Sequence, residues 1–290
     1  MKSALQKSPI PKARAFVAKA LKEPLFDPNW HFHSEYQLFM VLKGSGTRFI
    51  GDDIKPFKAG DFTFTGPNLP HLWRSDTDAD GTISEGIVVY FNENLIGESL
   101  LQKEESIALK GLLQNSLRGI EVTGYSTDTV KKGLQTLLQS QGFEGVLELL
   151  KLLHFISESP DTHLLASQGY TNTLKVGDTE RMNRVYAHVM KNYKEKIKIE
   201  TLAELTNMTP TSFSRYFKNH ANKTFSEFVS EIRIGHACKL LIEQKTNVSQ
   251  ACYESGFQTL SNFNRQFKKN TKRTPLEYKQ TYLSHFTKQY

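Results

Sequence analysis

The chain has 290 residues, of which 38% are hydrophobic and 23% charged, with a net charge of +7. This length favours two domains, and the composition excludes a wholly disordered chain. The two cysteines, Cys238 and Cys252, exclude a disulfide scaffold and a cysteine zinc site, and no segment is apolar enough for a signal peptide or a membrane span. We therefore expect a cytoplasmic protein with no membrane partner.

Residues 1–22 are basic and only moderately apolar, so we expect a loose arm or a packed extension. A block of strand signals follows, in which short β-prone segments alternate with glycine and proline turns. This spacing predicts an antiparallel sandwich or barrel. The predicted strands cover residues 37–42, 47–50, 62–65 and 84–91.

Three histidines of this region are candidates for one site. His31 and His33 are two residues apart, which directs both side chains to the same face of a strand. His71 follows a rigid proline loop and could converge with them. Arg48 is a candidate contact for an anionic group, and Trp73 is one of several aromatic residues that could line a ligand site at the mouth of a barrel.

The same region resembles the cupin barrel. The resemblance rests on His31-x-His33, Gly44-Ser-Gly46, Pro56-Phe-x-x-Gly-Asp61 and Gly66-Pro-Asn-Leu-Pro-His71. Metal-binding cupins carry a glutamate three or four residues beyond the second histidine. Gln37 occupies the four-residue spacing here, and a neutral amide is a weaker ligand for a divalent transition metal.

We therefore expect no cofactor and histidines that are structural or contact a ligand. The expected ligand-binding residues are His31, His33, Gln37, Arg48, His71 and Trp73. A metal held by His31, His33 and His71 is the alternative.

Residues 92–159 are helical in character, most clearly at 129–141 and 143–158. An apolar stripe containing Leu149, Leu153 and Ile156 either packs on the barrel or forms a dimer contact. A linker rich in serine, threonine and glycine is expected at residues 160–178. An amphipathic helix over 180–193 then opens the second domain.

The second domain carries most of the positive charge. From Glu180 onward there are 19 Lys+Arg and 9 Asp+Glu, a net charge of +10, whereas the first 179 residues hold 18 and 21, a net charge of −3. This uneven distribution indicates a nucleic-acid partner for the C-terminal part.

One pattern occurs twice in this domain, at an offset of 50 residues: Phe213-Ser-Arg-Tyr-Phe217-Lys218 and Phe263-Asn-Arg-Gln-Phe267-Lys268. Phenylalanines four residues apart face one side of a helix, so each copy predicts a buried aromatic pair below an exposed arginine. Thr209 and Pro210 suit the start of the first such helix, and Gly256 suits the end of the helix before the second. Each copy therefore predicts a helix-turn-helix.

These residues resemble the AraC-type (AraC/XylS) transcription regulators. Ala251, Gly256-Phe257, the second copy of the pattern and Pro275-Leu-Glu-Tyr278 carry the resemblance, which covers residues 179–282. It implies two helix-turn-helix motifs joined by a helix over residues 225–244. Such a helix spans about 30 Å, close to the roughly 34 Å of one DNA turn.

The expected DNA contacts lie on the outer faces of the two repeated helices. Arginine suits guanine, short polar groups reach bases or phosphates, leucine suits a thymine methyl, and lysine suits phosphate. The candidates are Thr211, Ser212, Ser214, Arg215, Lys218, Leu260, Ser261, Asn262, Asn264, Arg265 and Lys268.

We therefore expect a multidomain α+β chain with three parts. Residues 1–159 form a cupin-like antiparallel β-barrel followed by dimerisation helices, residues 160–178 a linker, and residues 179–290 an all-α DNA-binding domain with two helix-turn-helix motifs. The expected function is sequence-specific transcription regulation, controlled by a small molecule in the barrel, without enzyme activity. Expected partners are double-stranded DNA, a small effector such as a saccharide, RNA polymerase and a second copy of the chain.

Two alternatives stay open at this point. The first is a metal-dependent cupin enzyme with secondary DNA binding. The second is a constitutive DNA-binding protein whose barrel serves only to dimerise.

Overall fold

A computed structural model describes residues 9–76, 83–170, 176–242 and 246–286. The described chain divides into two compact units, and along the sequence the division falls between Thr179 and Glu180. The first unit is rich in antiparallel sheet and the second is helical, which confirms the predicted fold class. Within the described ranges, no helix combines the length and the apolar character needed to cross a membrane.

The first unit contains two sheets that pack against each other. Their strands are β1 (Phe16–Glu23), β2 (Tyr36–Lys43), β3 (Gly46–Ile50), β4 (Asp53–Phe57), β5 (Phe62–Thr65), β6 (His71–Ser75), β7 (Ser84–Phe91), β8 (Ile120–Val122) and β9 (Thr162–Leu164). The strand order is β1-β7-β2-β5-β8-β9 in the larger sheet and β4-β3-β6 in the smaller. The described strands thus form two packed sheets of a cupin fold rather than one closed barrel.

Strand β2 is apolar on both faces because both faces are covered. Leu38 and Met40 face a cluster that also contains helix residues, whereas Phe39 and Val41 face the space between the two sheets. Successive strand side chains point in opposite directions, so a strand buried on both sides reads as a continuous apolar run.

Four helices cover the outer face of the larger sheet. They are α1 (Glu98–Leu101), α2 (Ile107–Ser116), α3 (Ser126–Gln139) and α4 (Gly142–Glu158). Leu149, Leu153 and Ile156 of α4 are buried in the cluster formed with this face. The apolar stripe of α4 therefore packs within the unit, while Phe143 and Leu147 of the same helix are 74% and 38% exposed.

Three short segments differ from the expectations. Residues 16–23 of the expected arm form β1, which pairs with β7 along its whole length, whereas residues 1–8 lie outside the described ranges. Strand β8 interrupts the helical region of residues 92–159, and β9 lies within the expected linker. Strands β1 and β9 are the two edges of the larger sheet, where a strand pairs on one side and tolerates polar residues, whereas β8 pairs with β5 and β9.

The second unit consists of seven helices within the described residues. They are α5 (Val176–Asn192), α6 (Ile199–Leu205), α7 (Pro210–Ala221), α8 (Phe225–Ile242), α9 (Val248–Glu254), α10 (Leu260–Thr271) and α11 (Pro275–Phe286). The pairs α6–α7 and α9–α10 are the two helix-turn-helix motifs. Helix α8 joins them and has 18 residues, or about 27 Å.

Candidate nucleic-acid interface and candidate ligand site

Helices α7 and α10 are built in the same way. In α7 the Thr209 hydroxyl accepts a hydrogen bond from the Ser212 amide at 3.3 Å, and Pro210 occupies the first turn. In α10 the Thr259 hydroxyl accepts one from the Asn262 amide, also at 3.3 Å. Each cap satisfies an amide that the helix leaves without a partner, so both helices begin at defined residues.

A buried aromatic pair anchors each helix. The ring centroids of Phe213 and Phe217 lie 5.8 Å apart, and those of Phe263 and Phe267 lie 5.4 Å apart. All four side chains are fully buried. The opposite face of each helix is thereby directed to solvent, as the repeat predicts.

Ten of the eleven predicted DNA contacts are exposed. The exposed residues are Thr211, Ser212, Ser214, Arg215, Lys218, Ser261, Asn262, Asn264, Arg265 and Lys268. Leu260 is partly buried and packs against the apolar cluster of the second motif, which leaves less of its side chain to meet a thymine methyl.

Local hydrogen bonds engage several of these polar side chains, including Arg265 with Asn262 and Ser214 with the helix backbone. The guanidinium of Arg265 donates a hydrogen bond to the Asn262 side-chain oxygen at 3.1 Å. The hydroxyl of Ser214 donates to the Pro210 carbonyl at 2.9 Å. The first contact holds Arg265 over the outer face of α10, whereas the second occupies the donor of Ser214.

The first unit brings the three predicted histidines together. One ring nitrogen from each of His31, His33 and His71 lies within 4.8 Å of those of the others. The backbones of His31 and His71 pair as an isolated bridge, which places these two imidazoles 4.5 Å apart between centroids. The predicted convergence is therefore present, although His31 and His33 lie outside the named strands.

Backbone carbonyls select the protonated nitrogen of each ring. The Nδ1 atoms of His31, His33 and His71 lie 2.7, 3.0 and 2.7 Å from the carbonyl oxygens of Asn29, Glu35 and Leu69. A carbonyl only accepts, so each Nδ1 carries the hydrogen and each Nε2 presents a lone pair. Desolvation by burial lowers the pKa of all three imidazoles, most strongly that of His71, which keeps them neutral at pH 7.

Gln37 completes this cluster. Its side-chain oxygen lies 3.0 Å from His33 Nε2 and 3.3 Å from His71 Nε2. The lone pairs of His33 Nε2, His71 Nε2 and the Gln37 oxygen repel one another at these distances. The repulsion is relieved if the Gln37 amide turns its NH2 group towards the rings or if a cation lies between the three atoms. Three imidazole nitrogens with one amide oxygen therefore fit a divalent transition metal.

A buried carboxylate lies on the other side of His33. Glu35 is 2% exposed, and its carboxylate is 3.6 Å from His33 Nδ1 rather than beside Nε2. It therefore stands outside the convergent atoms, and Gln37 is the oxygen donor that faces them.

Arg48 of β3 and Trp73 of β6 are cross-strand neighbours, but their side chains have different contacts. The Trp73 ring lies 5.6 Å from that of His71, at the edge of the histidine cluster. Arg48 is fully buried, with its Nη2 atom 2.6 Å from Glu121 and its Nε atom 3.5 Å from Asp61. Two carboxylates balance this guanidinium, which makes Arg48 a poor receptor for an anionic ligand.

A separate half-open groove of about 250 Å³ lies between α2, α4 and the β8–β9 edge. Asn115, Ser157, Thr162 and His163 contribute its polar lining. None of these residues belongs to the predicted ligand site, and no pattern in the sequence singled them out.

Comparisons with known proteins agree with both units. Residues 202–281 match a helix-turn-helix domain family, and residues 23–90 match the cupin domain family. The chain is 24% identical to the uncharacterised helix-turn-helix transcriptional regulator YdeC of Bacillus subtilis over 257 residues, covering 86% of this chain and 85% of that protein. It is 34% identical over 97 residues to a helix-turn-helix regulator of Pseudoalteromonas carrageenovora, covering 33% of this chain and 57% of that protein.

A solved structure of ToxT from Vibrio cholerae aligns with 92% of this chain and 98% of its own. The identity is 14% and the TM-score 0.35.

Proposed function

We propose that the chain is an AraC-type transcription regulator, in which a cupin domain is followed by a double helix-turn-helix domain, and that it binds specific DNA sequences under the control of a small molecule. The observation that carries the proposal is the repeated build of α7 and α10. In each, a capped helix buries two phenylalanines and exposes an arginine, Arg215 or Arg265, on the opposite face. A chromosomal target implies action in the cytoplasm.

Helices α7 and α10 are the two recognition helices of this proposal. Each contacts one box, which is a short segment of the DNA site. Arg215 and Arg265 have the paired donors that bind guanine O6 and N7, while Lys218 and Lys268 bind phosphate and add affinity without sequence choice. Helix α8 separates the motifs by about 27 Å along its axis, which suits boxes roughly one DNA turn apart. A homodimer reads four such boxes, and RNA polymerase is the further partner at a promoter.

The effector site of this proposal is the histidine cluster with Gln37 and Trp73. The cluster is buried between the two sheets, and it offers nitrogen and oxygen acceptors beside an aromatic surface. Such a site takes a small polar molecule, of which a saccharide is the first class to test. Effector binding acts by shifting the populations of states that match the half-site spacing.

The test is selection of genomic DNA fragments by the purified full-length chain at physiological salt. The expected result is one motif with two boxes about a helical turn apart. Arg215→Ala is expected to abolish enrichment of one box and Arg265→Ala that of the other. Arg184→Ala, which removes an exposed arginine on α5, is the matched control. Uniform, salt-sensitive binding by the wild-type chain would contradict sequence-specific regulation.

Effector control is tested separately, with the selected site in hand. The affinity for this site is measured with and without candidate saccharides, small acids and aromatics. A constitutive binder shows the same affinity and the same footprint with each of them, and no change in melting temperature. That outcome would support the reading in which the cupin domain only dimerises.

A second candidate function rests on the convergent Nε2 atoms. His31, His33, His71 and Gln37 would hold a divalent metal, and such a metal acts as a Lewis acid that polarises an oxygen of a bound molecule. The protein would then be a metal-dependent cupin enzyme with DNA binding as a second role. Metal analysis of the purified chain tests this candidate function. A content below about a tenth of an equivalent of iron, manganese, nickel or zinc would exclude it.

A further inference from the structure

Arg233 of α8 holds the chain segment that follows α5. Its Nε atom donates to the Tyr193 carbonyl at 2.6 Å, and its Nη2 atom donates to the Glu195 carbonyl at 2.8 Å. One planar guanidinium thus binds two carbonyls, two residues apart, and charge-assisted hydrogen bonds of this kind are stronger than neutral ones. The segment 193–195 is therefore attached to the joining helix at a defined position.

The same guanidinium contacts the turn of the second motif. Its central carbon lies 5.9 Å from the ring centroid of Phe257, the residue that follows Gly256 in the turn. Arg233 therefore touches both the segment that follows α5 and the turn that leads into α10.

Gly256 shows how closely these segments approach. Its φ is +92°, and a Cβ atom at this position would lie 2.7 Å from both Cα and the carbonyl oxygen of Lys194. No side chain fits there without displacing the main chain at Lys194. The sequence accounts for Gly256 as a helix stop, whereas the structure adds that it admits the segment 193–195.

The contact continues into the second recognition helix. The Phe257 ring lies 5.3 Å from that of Phe263, which is buried beneath the first turns of α10. Asn262 and Asn264, two predicted DNA contacts, are its neighbours in the chain. The Phe257 ring therefore packs against the residue that lies between these two predicted contacts.

The first motif is attached to α5 through other residues. The Tyr186 ring, in the middle part of α5, lies 5.0 Å from Phe228, and Phe228 lies 5.2 Å from Phe217 of α7. The middle of α5 is thus linked to the first motif through Phe228 of α8, whereas the segment after α5 is linked to the turn of the second motif through Arg233. Loss of Arg233 leaves the first set of contacts in place.

We propose that Arg233 is a positioning residue for the second recognition helix: by binding the segment 193–195 against Gly256 and Phe257, it sets the angle at which α10 meets DNA. The proposal rests on the proposed function, in that α7 and α10 each read one box.

The experiment uses the full-length chain and its selected two-box site, with the second box defined as the one lost in Arg265→Ala. Hydroxyl-radical footprints and affinities for sites with either box scrambled are compared for the wild type and Arg233→Ala. We expect about a tenfold loss of affinity that comes from the second box alone, with the first box protected as before. The control is again Arg184→Ala.

Two further variants keep the test decisive if Arg233→Ala fails to fold, as shown by its circular dichroism. Arg233→Lys keeps the charge but loses the planar guanidinium that donates to two carbonyls. We therefore expect an intermediate loss of affinity, confined to the second box. Gly256→Ala displaces Lys194 and is expected to give the same box-specific loss with Arg233 intact.

Equal loss at both boxes in a folded variant, or full affinity in Arg233→Ala, would overturn the positioning role. A wild-type chain that selects no site would instead overturn the proposed function. The two failures are therefore distinguishable in the same data.

Discussion

The guanidinium of Arg48 and the carboxylate of Glu121 meet at 2.6 Å and join the two sheets of the cupin domain. Arg48 lies on β3 of the smaller sheet, Glu121 on β8 of the larger, and Asp61 contributes a second carboxylate at 3.5 Å. The Arg48 side chain is 1% exposed. A charge buried to this degree persists only with partners, so the three residues act as one structural group.

Removal of this arginine is expected to destabilise the cupin domain. Arg48→Met leaves two carboxylates without their cation, and breaking a buried pair in this way costs about 3 kcal/mol. Urea unfolding of the full-length chain, followed by tryptophan fluorescence, measures this unit alone because Trp30 and Trp73 are the chain's two tryptophans. Lys19→Met, at an exposed position of β1, is the control and should change nothing. Equal midpoints for wild type and Arg48→Met would contradict the structural role.

Local patterns predicted the helix-turn-helix units well because their determinants lie within a few residues of one another. The Thr209 cap and the Phe213–Phe217 pair are of this kind. The contacts of Arg48 with Glu121 and of Arg233 with Tyr193 join residues 73 and 40 positions apart. A single sequence carries no signal for such pairs, and Arg48 was accordingly predicted as a ligand contact.

The strands β1, β8 and β9 were missed for a different reason. Residues 16–23 read as a basic arm because Lys19 and Lys22 lie on a strand that pairs on one side only. Strands β8 and β9 have three residues each, which is too short for an alternation of apolar and polar residues to be recognised. The convergence of the histidines was predictable from their spacing. The contact of the Gln37 oxygen with the Nε2 atoms of His33 and His71 could not be predicted, because it depends on how the strands pack in the folded domain.

The Gln37 amide is expected to limit metal affinity. Gln37→Glu places a carboxylate beside His33 Nε2 and His71 Nε2, and carboxylate is the stronger ligand for a divalent transition metal. We expect Gln37→Glu to bind Ni²⁺ about tenfold more tightly than the wild type, or more tightly still. Quenching of Trp73, whose ring lies 5.6 Å from that of His71, reports the binding, with metal analysis after dialysis as a second readout.

Two controls accompany this measurement. Gln114→Glu introduces the same charge at an exposed position of α2 and should leave the affinity unchanged. His71→Ala should remove Ni²⁺ binding from both the wild type and Gln37→Glu. An affinity for Ni²⁺ that is unaltered in Gln37→Glu would show that Gln37 does not face a metal.

The lysines of the recognition helices are expected to act on all DNA alike. Lys218→Ala and Lys268→Ala each remove one phosphate contact, which makes the negative slope of log affinity against log salt shallower by about 0.9. Specific and non-specific DNA should lose affinity by the same factor. Lys191→Ala, an exposed site on α5, is the control, and a loss confined to the selected site would contradict the phosphate assignment.

Both thiols are expected to be protected in the folded chain. Burial raises the pKa of Cys238 to about 12 and also raises that of Cys252, and the thiolate is the reactive form. Titration with a disulfide reagent at pH 8 should find almost no fast-reacting thiol in the native protein and two in urea. A thiol that reacts at once in the native state would show that a cysteine is accessible to the reagent.

Helix α4 is expected to contribute to a homodimer through residues that its own unit leaves exposed. Phe143 is 74% exposed and Leu147 38% exposed, and they lie one turn apart on the same side of the helix. An exposed aromatic residue beside a leucine suits the centre of a contact, where burial of an apolar ring contributes most. Sedimentation equilibrium of the wild type should give a dimer, and Phe143→Asp should shift the mass towards the monomer.

Tyr125→Asp is the matched control for this dimer prediction, because Tyr125 is 95% exposed just before α3. It introduces the same charge at an exposed aromatic residue outside α4 and should leave the mass unchanged. The DNA footprint supplies a second readout, since a monomer protects two boxes where a dimer protects four. A Phe143→Asp chain that keeps the wild-type mass and protects all four boxes would place the dimer contact on another surface.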